Sequence, residues 1–290
     1  MEKYFAESEL MINPDGSCYH LHLRPDQLAD KVILCGDPER VSLVASHFRD
    51  MECDVHNREF RCITGYYNQK RITVVGTGIG CDNIDIVLNE LDALANIDFK
   101  TRKEKSQFRQ LTFVRIGTCG GLQTDLHTGS FVATVESIGF DGLLNFYANR
   151  DKACDLDCEK AFKDFVRWDL KMGNPYVAPS DEELLERIAG TDMHRGITIA
   201  CGGFYGPQGR ELRLPLADPK LNEKIEAFEY NGLKISNFEM ESSAVAGLSR
   251  LMGHKALTCC MVIANRRAHK ANTNVKGSID KLIQRVLERI

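Results

Sequence analysis

Short apolar segments that run directly into glycine or into a helical pattern recur along this chain, and they constrain its fold more than any other feature. KVILC (31–35) leads into Gly36, and ITVV leads into the glycine loop GTGIG at 76–80. LTFVRIG (111–117) ends in a predicted glycine turn, TCGGL, and LKISNFEM (233–240) leads into the helical sequence ESSAVAGLSRLMG. Each segment has the length and β-branched content of a buried strand. Strands that alternate with helices predict a wound α/β domain with a central mixed sheet.

The remaining segments fit the same plan. Asp37 precedes Pro38 and is predicted to cap a helix after the first strand. EFRCITGYY and KRITVVG, joined by Asn68-Gln69, predict a hairpin, and SIDKLIQRVLERI predicts a closing amphipathic helix. Residues 148–195 are more polar and irregular. Because no second core is evident, we interpret them as an insertion within a single domain that spans residues 1–290.

Charge and hydropathy exclude several kinds of partner. The formal net charge of −4 argues against a general nucleic-acid surface, although a small anion needs only a local cationic pocket. No apolar run reaches the length of a membrane span, and MEKYFAESEL does not have the pattern of a signal peptide. We therefore expect neither nucleic acid nor a membrane as a partner.

Cysteine usage indicates the compartment. The 11 cysteines are an odd number, and several lie in apolar or glycine-rich runs, which is typical of small buried side chains in a reducing cytoplasm. Cys154 and Cys158 are one helical turn apart, but no second Cys/His pair follows at ligand spacing. We therefore expect a cytoplasmic protein without a metal site.

Three arginines in different segments are candidate phosphate ligands: Arg40 in GDPERV, Arg58 in HNREF and Arg115 in VRIGTCGG. The planar guanidinium is a fixed cation whose geometry matches phosphate oxygens. Arg115 comes late in an apolar strand, where a buried unpaired cation is costly, so it requires an anionic partner. A structural salt bridge is as good an interpretation of Arg115 as a ligand contact. GTGIG is likewise either a phosphate loop at a helix N-terminus or a structural turn.

Two further segments offer groups that suit a nucleoside. Glu239-Met240-Glu241 provides carboxylates for sugar hydroxyls and a thioether for the apolar ring face, although a glutamate in a first helical turn also serves as a cap. FYGPQGR (204–210) provides an aromatic platform, an amide that can read an O=C–N–H edge, and a guanidinium. The alternative for FYGPQGR is an ordinary Gly/Pro turn. Together the segments suggest an enzyme that brings phosphate and a ribosyl group together.

Taken in order, these segments resemble the nucleoside phosphorylase family, and within it the uridine phosphorylases. The resemblance extends from about His20 to Arg266 and rests on YHLHL, CGDPERV, HNREF, GTGIG, VRIGTCGG, FYGPQGR, FEMES and VIANR. It implies a single α/β domain whose central mixed sheet is partly barrel-like and flanked by helices. It also implies reversible phosphorolysis of uridine, or of deoxyuridine, in pyrimidine salvage.

The resemblance assigns a role to each matching residue. The phosphate site would consist of Gly36, Arg40, Arg115 and Thr118, with Arg58 from the neighbouring subunit. The ribose site would consist of Thr118, Met240 and Glu241, with His20 from the neighbour. The base would be held by Phe204, Gln208 and Arg210. Catalysis would depend on Arg115, Glu241, Gln208 and Arg210. Glu239 belongs to the motif without a clear direct role, and Arg266 would support the loop on the base side.

Partners and alternatives also follow from the resemblance. No organic cofactor or catalytic metal is implied, inorganic phosphate is the co-substrate, and Glu59 and Ile79 match part of a structural monovalent-cation site. A homodimer would share its active sites. A hexamer is the larger alternative, which the 148–195 segment could obstruct.

Departures from the family pattern bear on the substrate. Purine enzymes of the superfamily usually carry an aspartate near Ala264-Asn265, which this chain lacks, and Cys119 replaces a common threonine.

The rival hypotheses are a purine nucleoside phosphorylase or nucleosidase of the same fold, and a non-catalytic nucleoside-binding protein.

Overall fold

The structure, a computed structural model, describes residues 3–265, 270–271 and 276–290. Its strands are β1 (Lys31–Cys35), β2 (Arg49–Asn57), β3 (Phe60–Tyr67), β4 (Lys70–Gly76), β5 (Ile97–Asp98), β6 (Lys103–Glu104), β7 (Thr112–Gly121), β8 (Phe131–Gly139), β9 (Tyr176–Pro179), β10 (His194–Ala200), β11 (Glu229–Tyr230), β12 (Leu233–Glu239), β13 (Lys255–Asn265) and β14 (Lys270–Ala271). Its α-helices are α1 (Pro38–Ala45), α2 (Cys81–Asn96), α3 (Leu156–Val166), α4 (Glu182–Ala189), α5 (Leu221–Ala227), α6 (Ser242–Met252) and α7 (Lys276–Arg289).

One mixed sheet runs through the molecule and partly closes on itself. Its strand order is β11-β12-β10-β8-β13-β7-β1-β4-β3-β2, with β9 added beside β8 and β14 beside β13. Because β12 also pairs with β7, the strands β7, β13, β8, β10 and β12 form a closed five-stranded barrel. The predicted α/β fold with a mixed, partly barrel-like sheet is confirmed.

The directions of the strands place several strand ends at one edge of the sheet. β4, β1, β7 and β13 are mutually parallel in that order, so their carboxyl ends lie together. β10 and β12 are parallel to each other, and β12 runs antiparallel to β7. Ligands of open α/β sheets bind beyond the carboxyl ends of parallel strands. The loops after β1, β4, β10 and β12 are therefore where a site is expected.

Alternate residues of the strands enter different cores, which explains their continuous apolar character. Val32 and Leu34 of β1 face a core that α2 and α6 cover, whereas Ile33 and Cys35 face a core that α1, α4 and α7 cover. A third core lies under α3 and α5, where Phe162 packs against Phe228. None of the described helices combines the length and apolar composition that crossing a membrane requires.

Several local predictions are confirmed. Asp37 caps α1 by accepting a hydrogen bond from the Glu39 N–H at 2.9 Å. β3 and β4 form the predicted hairpin, and both residues of its turn have positive φ: Asn68 at 45° and Gln69 at 66°. Such a pair of left-handed residues matches the twist of the flanking strands.

Other details differ from the sequence predictions. TCGG is not a turn, because β7 continues to Gly121 and pairs with β13 along its whole length. The residues 148–195, predicted to be an insertion within the domain, contribute β9 to the main sheet, and Leu184 of α4 belongs to the core under α7; their description as an insertion stays a prediction. β2 was missed because its residues are mostly polar and exposed, as suits the edge of a sheet.

Candidate functional site

A cavity of about 420 Å³ opens at the carboxyl ends of β1, β7 and β12. It is lined by most of the predicted site residues, namely Gly36, Arg40, Arg115, Thr118, Phe204, Gln208, Arg210, Met240 and Glu241. The residues that the sequence suggested for binding phosphate, ribose and base therefore line one cavity of a single chain. Of the predicted set, His20 and Arg58 do not line this cavity.

Arg115 lies at the centre of the buried charges. Its side chain is 5% exposed, and its Nη1 lies 3.0 Å from Glu239 Oε2 while its Nη2 donates to Glu241 Oε2. The salt-bridge interpretation of this arginine is confirmed. Because Arg115 also lines the cavity, the ligand contact stays a prediction. Desolvation opposes the charged form, but the two carboxylates outweigh it and raise the pKa of Arg115, so the guanidinium stays charged.

Gly117 makes room for this guanidinium. A Cβ on Gly117 would lie 2.3 Å from Arg115 Nη1 and 2.9 Å from its Cζ. Residues 115 and 117 project to the same face of β7, since side chains alternate along a strand. The glycine in VRIG is therefore required by the arginine two residues before it.

Glu239 and Glu241 have different surroundings. Glu239 accepts hydrogen bonds from the Glu241 N–H at 2.9 Å and from the Ser242 N–H and hydroxyl at 2.9 and 2.6 Å, so it caps α6 and fixes the strand–helix junction. Glu241 accepts from the Gly80 N–H at 2.8 Å, beside the first residue of α2. Burial raises the pKa of Glu241 above its usual value, against the opposing effect of Arg115.

The glycine loop GTGIG donates a hydrogen bond to Glu241. Gly80 has φ of 102°, a conformation that only glycine adopts readily, and its N–H is the donor to Glu241. The positive end of α2 thus faces a protein carboxylate. This arrangement favours the structural interpretation of GTGIG over the phosphate loop.

Arg40 enters the cavity from the first turn of α1. Its side chain is 12% exposed, its Nη1 donates to the Ile116 carbonyl at 3.3 Å, and its Nη2 is 4.0 Å from Asp37. Gly36 lies close to the next loop, since a Cβ there would be 3.1 Å from the Gly78 carbonyl oxygen. The cap of α1 and the close approach of these loops position Arg40 at the cavity that Arg115 also lines.

Phe204, Gln208 and Arg210 form a compact group on the other side of the cavity. The Arg210 guanidinium stacks over the Phe204 ring, 3.8 Å from its centroid, and Arg210 Nη1 donates to Gln208 Oε1. Gln208 is buried, whereas Phe204 is about half exposed. FYGPQGR is therefore an ordered turn with a stacked cation, rather than a loop with solvated ends.

His20 and Arg58 lie together on a different surface. The Asn57 side chain donates to the His20 carbonyl at 2.8 Å, and Arg58 Nη2 lies 3.2 Å from the Tyr19 hydroxyl. His20 Nδ1 is 2.7 Å from Glu90 of α2. The prediction that both residues complete a neighbouring subunit's site stays a prediction.

The end of β13 near the cavity carries Ile263, Ala264 and Asn265, where a loop was predicted. Ile263 and Ala264, which belong to the VIANR motif, line the cavity. Asn265 is buried and donates to the carbonyls of Gln123 and Leu126 at 2.9 and 2.6 Å. Arg266 lies outside the described residues.

No cluster of three or more His, Cys, Asp or Glu side chains within the described ranges could hold a metal ion. Cys154 and Cys158 are both free, and Cys158 packs in the core beside Phe162. A monovalent-cation site at Glu59 and Ile79 is not tested by this geometry and stays a prediction.

Comparison with known proteins places the chain in a family. A family model described as "Phosphorylase superfamily" matches residues 30–290. A uridine phosphorylase of Thermococcus kodakarensis is 28% identical over 272 residues, which cover 92% of this chain and 84% of the relative. A guanosine phosphorylase of Halorubrum lacusprofundi is 24% identical over 278 residues, with 93% and 92% covered. A Trypanosoma brucei nucleoside phosphorylase, whose crystal structure is described as showing uridine phosphorylase activity, superposes with a TM-score of 0.86 at 27% identity, with 97% and 98% covered. Because the family model covers residues 30–290 and the fold agrees, the chain belongs to the phosphorylase superfamily and is an enzyme of the pentosyltransferase class.

Proposed function

We propose that this enzyme catalyses the reversible phosphorolysis of uridine, or of deoxyuridine, to uracil and ribose 1-phosphate or its deoxy counterpart. One observation carries the proposal: Arg40 and Arg115, the Met240–Glu241 turn, and the Phe204–Gln208–Arg210 group line the same 420 Å³ cavity. A phosphate group, a pentose and a planar base need these three kinds of partner side by side.

The reaction would need no protein nucleophile. Phosphate held by Arg40 and Arg115 attacks C1′ on the face opposite the base, and the C1′–N bond breaks as the new C1′–O bond forms. Glu241 binds the sugar hydroxyls and, with the phosphate, stabilises positive charge on the ribosyl group. Gln208 and Arg210 stabilise the negative charge that develops on uracil. Catalysis then consists of positioning and preorganised charge, without an organic cofactor or a catalytic metal.

The base-side residues support a pyrimidine substrate. The Gln208 side chain carries both a donor and an acceptor, as an O=C–N–H edge requires, and its Oε1 also accepts from Arg210, which is stacked on Phe204. The chain lacks the aspartate that purine enzymes usually carry near Ala264-Asn265, and the Asn265 amide group donates to two backbone carbonyls. The Thermococcus kodakarensis uridine phosphorylase and the Trypanosoma brucei structure support the same choice.

A purine nucleoside is the second candidate, because the similar Halorubrum lacusprofundi protein is a guanosine phosphorylase. The purified enzyme should be incubated with uridine, inosine and guanosine, each with and without phosphate, and the free base quantified. Uracil that appears only with phosphate supports the proposal. Hypoxanthine or guanine instead would overturn the assignment of Gln208 and Arg210, and phosphate-independent release would indicate a nucleosidase. Binding without turnover would favour a non-catalytic role.

We also propose a homodimer that shares its active sites. Within one chain the charge of Arg115 is offset by two carboxylates, so a phosphate would benefit from another cation. Arg58, which is exposed and lies beside His20 outside the cavity, is suited to supply it to a neighbour. Whether the assembly extends to a hexamer depends on whether the 148–195 segment, an insertion by our interpretation, blocks further contacts.

Subunit mixing tests this assembly. Arg58→Ala and Arg115→Ala proteins should each be inactive, and mixing them should restore part of the activity, since some sites then combine an intact Arg115 with an intact Arg58. Absence of recovery after verified subunit exchange would contradict a shared site.

All 11 cysteines are free, which supports a cytoplasmic location.

A further inference from the structure

A hydrogen-bonded cluster of the buried Tyr176 and Ser243 with the half-buried Asp141 lies next to the Met240–Glu241 turn, outside the lining of the cavity. Asp141, in the loop after β8, accepts hydrogen bonds from the Tyr176 hydroxyl at 2.9 Å, from the Ser243 hydroxyl at 2.8 Å and from the Leu143 N–H at 2.8 Å. The hydroxyls of Tyr176 and Ser243 are 3.1 Å apart. The three side chains therefore form a closed triangle of polar contacts.

The triangle connects to the turn that would hold the sugar. Ser243 is in the first turn of α6, two residues after Glu241, and Cys81 Sγ lies 3.8 Å from its hydroxyl. The same thiol donates to the Met240 carbonyl at 3.2 Å. Cys81 directly follows Gly80, whose N–H binds Glu241. Contacts from α2 and from the triangle thus fix the turn on two sides.

The position of the Tyr176 side chain is constrained by its burial and by Gly139 beneath its ring. Tyr176 is fully buried at the start of β9, and its ring passes over Gly139 of β8, where a Cβ would lie 2.6 Å from two ring atoms. Burial and the charge of Asp141 raise the pKa of Tyr176 well above its usual value, so its hydroxyl keeps its proton at neutral pH. A tyrosine with a fixed ring and a permanent proton is a rigid donor.

We propose that Tyr176 is a positioning residue for the sugar of the nucleoside, an inference that rests on the proposed function. Through Asp141 and Ser243, its hydroxyl holds the first turn of α6, and with it the orientation of Met240 and Glu241. The 148–195 segment thereby serves the active site, because β9 belongs to it.

The test is Tyr176→Phe, which removes one hydroxyl and keeps the ring over Gly139. We expect the nucleoside KM to rise about tenfold, the equivalent of one lost hydrogen bond to a charged group. The phosphate KM should rise less than the nucleoside KM, because Gly36 and Arg40 are held by β1 and α1, although Arg115 contacts Glu241. Tyr66→Phe is the matched control. It removes a phenolic hydroxyl that is hydrogen-bonded to Glu52 on the β2–β3 surface, away from the lining of the cavity.

A second variant separates positioning from stability. Ser243→Ala should also raise the nucleoside KM, and the Ser243→Ala/Tyr176→Phe double variant should raise it by less than the product of the two single effects, since both hydroxyls act through Asp141. A folded Tyr176→Phe enzyme with wild-type nucleoside KM would overturn the inference, even if its Tm were lower. So would equal increases in both KM values. If the wild type neither binds a nucleoside in a calorimetric titration nor turns one over, the proposed function fails, and this inference fails with it.

Discussion

A methyl group added at Gly117 tests how closely the reactive geometry depends on β7. The new Cβ of Gly117→Ala would lie 2.3 Å from Arg115 Nη1, whereas ordinary contact begins near 3.4 Å. The guanidinium would therefore have to move by about 1 Å. The same nitrogen lies 3.0 Å from Glu239 and 3.5 Å from Cys260 Sγ, so any movement changes its contacts.

The expected loss follows from that displacement. A misplacement of about 1 Å in a positioned group can cost about 100-fold in rate, and overpacking a buried site typically destabilises a protein by about 1–3 kcal/mol. We expect kcat/KM for phosphate to fall about 100-fold in Gly117→Ala. The folded structure should persist at assay temperature, because the loss is smaller than the stability of a typical domain.

Steady-state phosphorolysis with phosphate varied at saturating nucleoside, together with a thermal melt, measures both effects. Gly277→Ala is the matched control. Gly277 is exposed in α7, and no described atom lies within 4 Å of the point where its new methyl group would be, so alanine there should leave the kinetics unchanged. A folded Gly117→Ala enzyme with near-wild-type kcat/KM would refute the claim that Gly117 sets the position of Arg115.

Three further outcomes are expected. Arg210→Ala should lower uridine turnover by about 100-fold or more with little change in Tm, and near-normal kinetics would remove Arg210 from the mechanism. Burial raises the pKa of Glu241 above its usual 4.5, so the carboxylate becomes protonated as the pH falls through that raised value. The acid limb of the kcat/KM profile should therefore have its midpoint above pH 4.5. The residual activity of Glu241→Gln should lack this acid limb. Asn265→Asp should lower the free energy of unfolding by about 1–3 kcal/mol, because a carboxylate cannot donate to the Gln123 and Leu126 carbonyls; an unchanged free energy of unfolding would contradict the importance of these hydrogen bonds.

Much of the fold could be predicted from local sequence patterns. β1 and α1 follow from an apolar run and an Asp-Pro cap, and the β3–β4 hairpin follows from two β-rich stretches around Asn68-Gln69. These features depend on neighbours in the sequence, which is why propensity and periodicity detect them. The site could also be predicted as a set of residues, because its motifs are specific in combination.

Other features depend on contacts between distant segments. The glycines of TCGG indicated a turn, but they lie in β7, where Gly121 packs against Val262 of β13. Tyr176 gave no signal, since its role comes from Asp141 and Ser243, 35 and 67 residues away. A single sequence does not reveal such pairings, because tertiary packing overrides local preference.

Closure of the barrel and assembly of the site are one structural event. Arg115 and Glu241 are 126 residues apart, and they meet because β12 pairs with β7 next to the end of β13. Without that pairing, Arg115 would be a buried cation without its carboxylates, which costs several kcal/mol. The charge that would bind phosphate therefore depends on closure of the barrel for its carboxylate partners. Because the two functions share one guanidinium, substitutions of Glu239 or Glu241 should affect stability and catalysis together, whereas substitutions in the Phe204–Arg210 turn should affect catalysis alone.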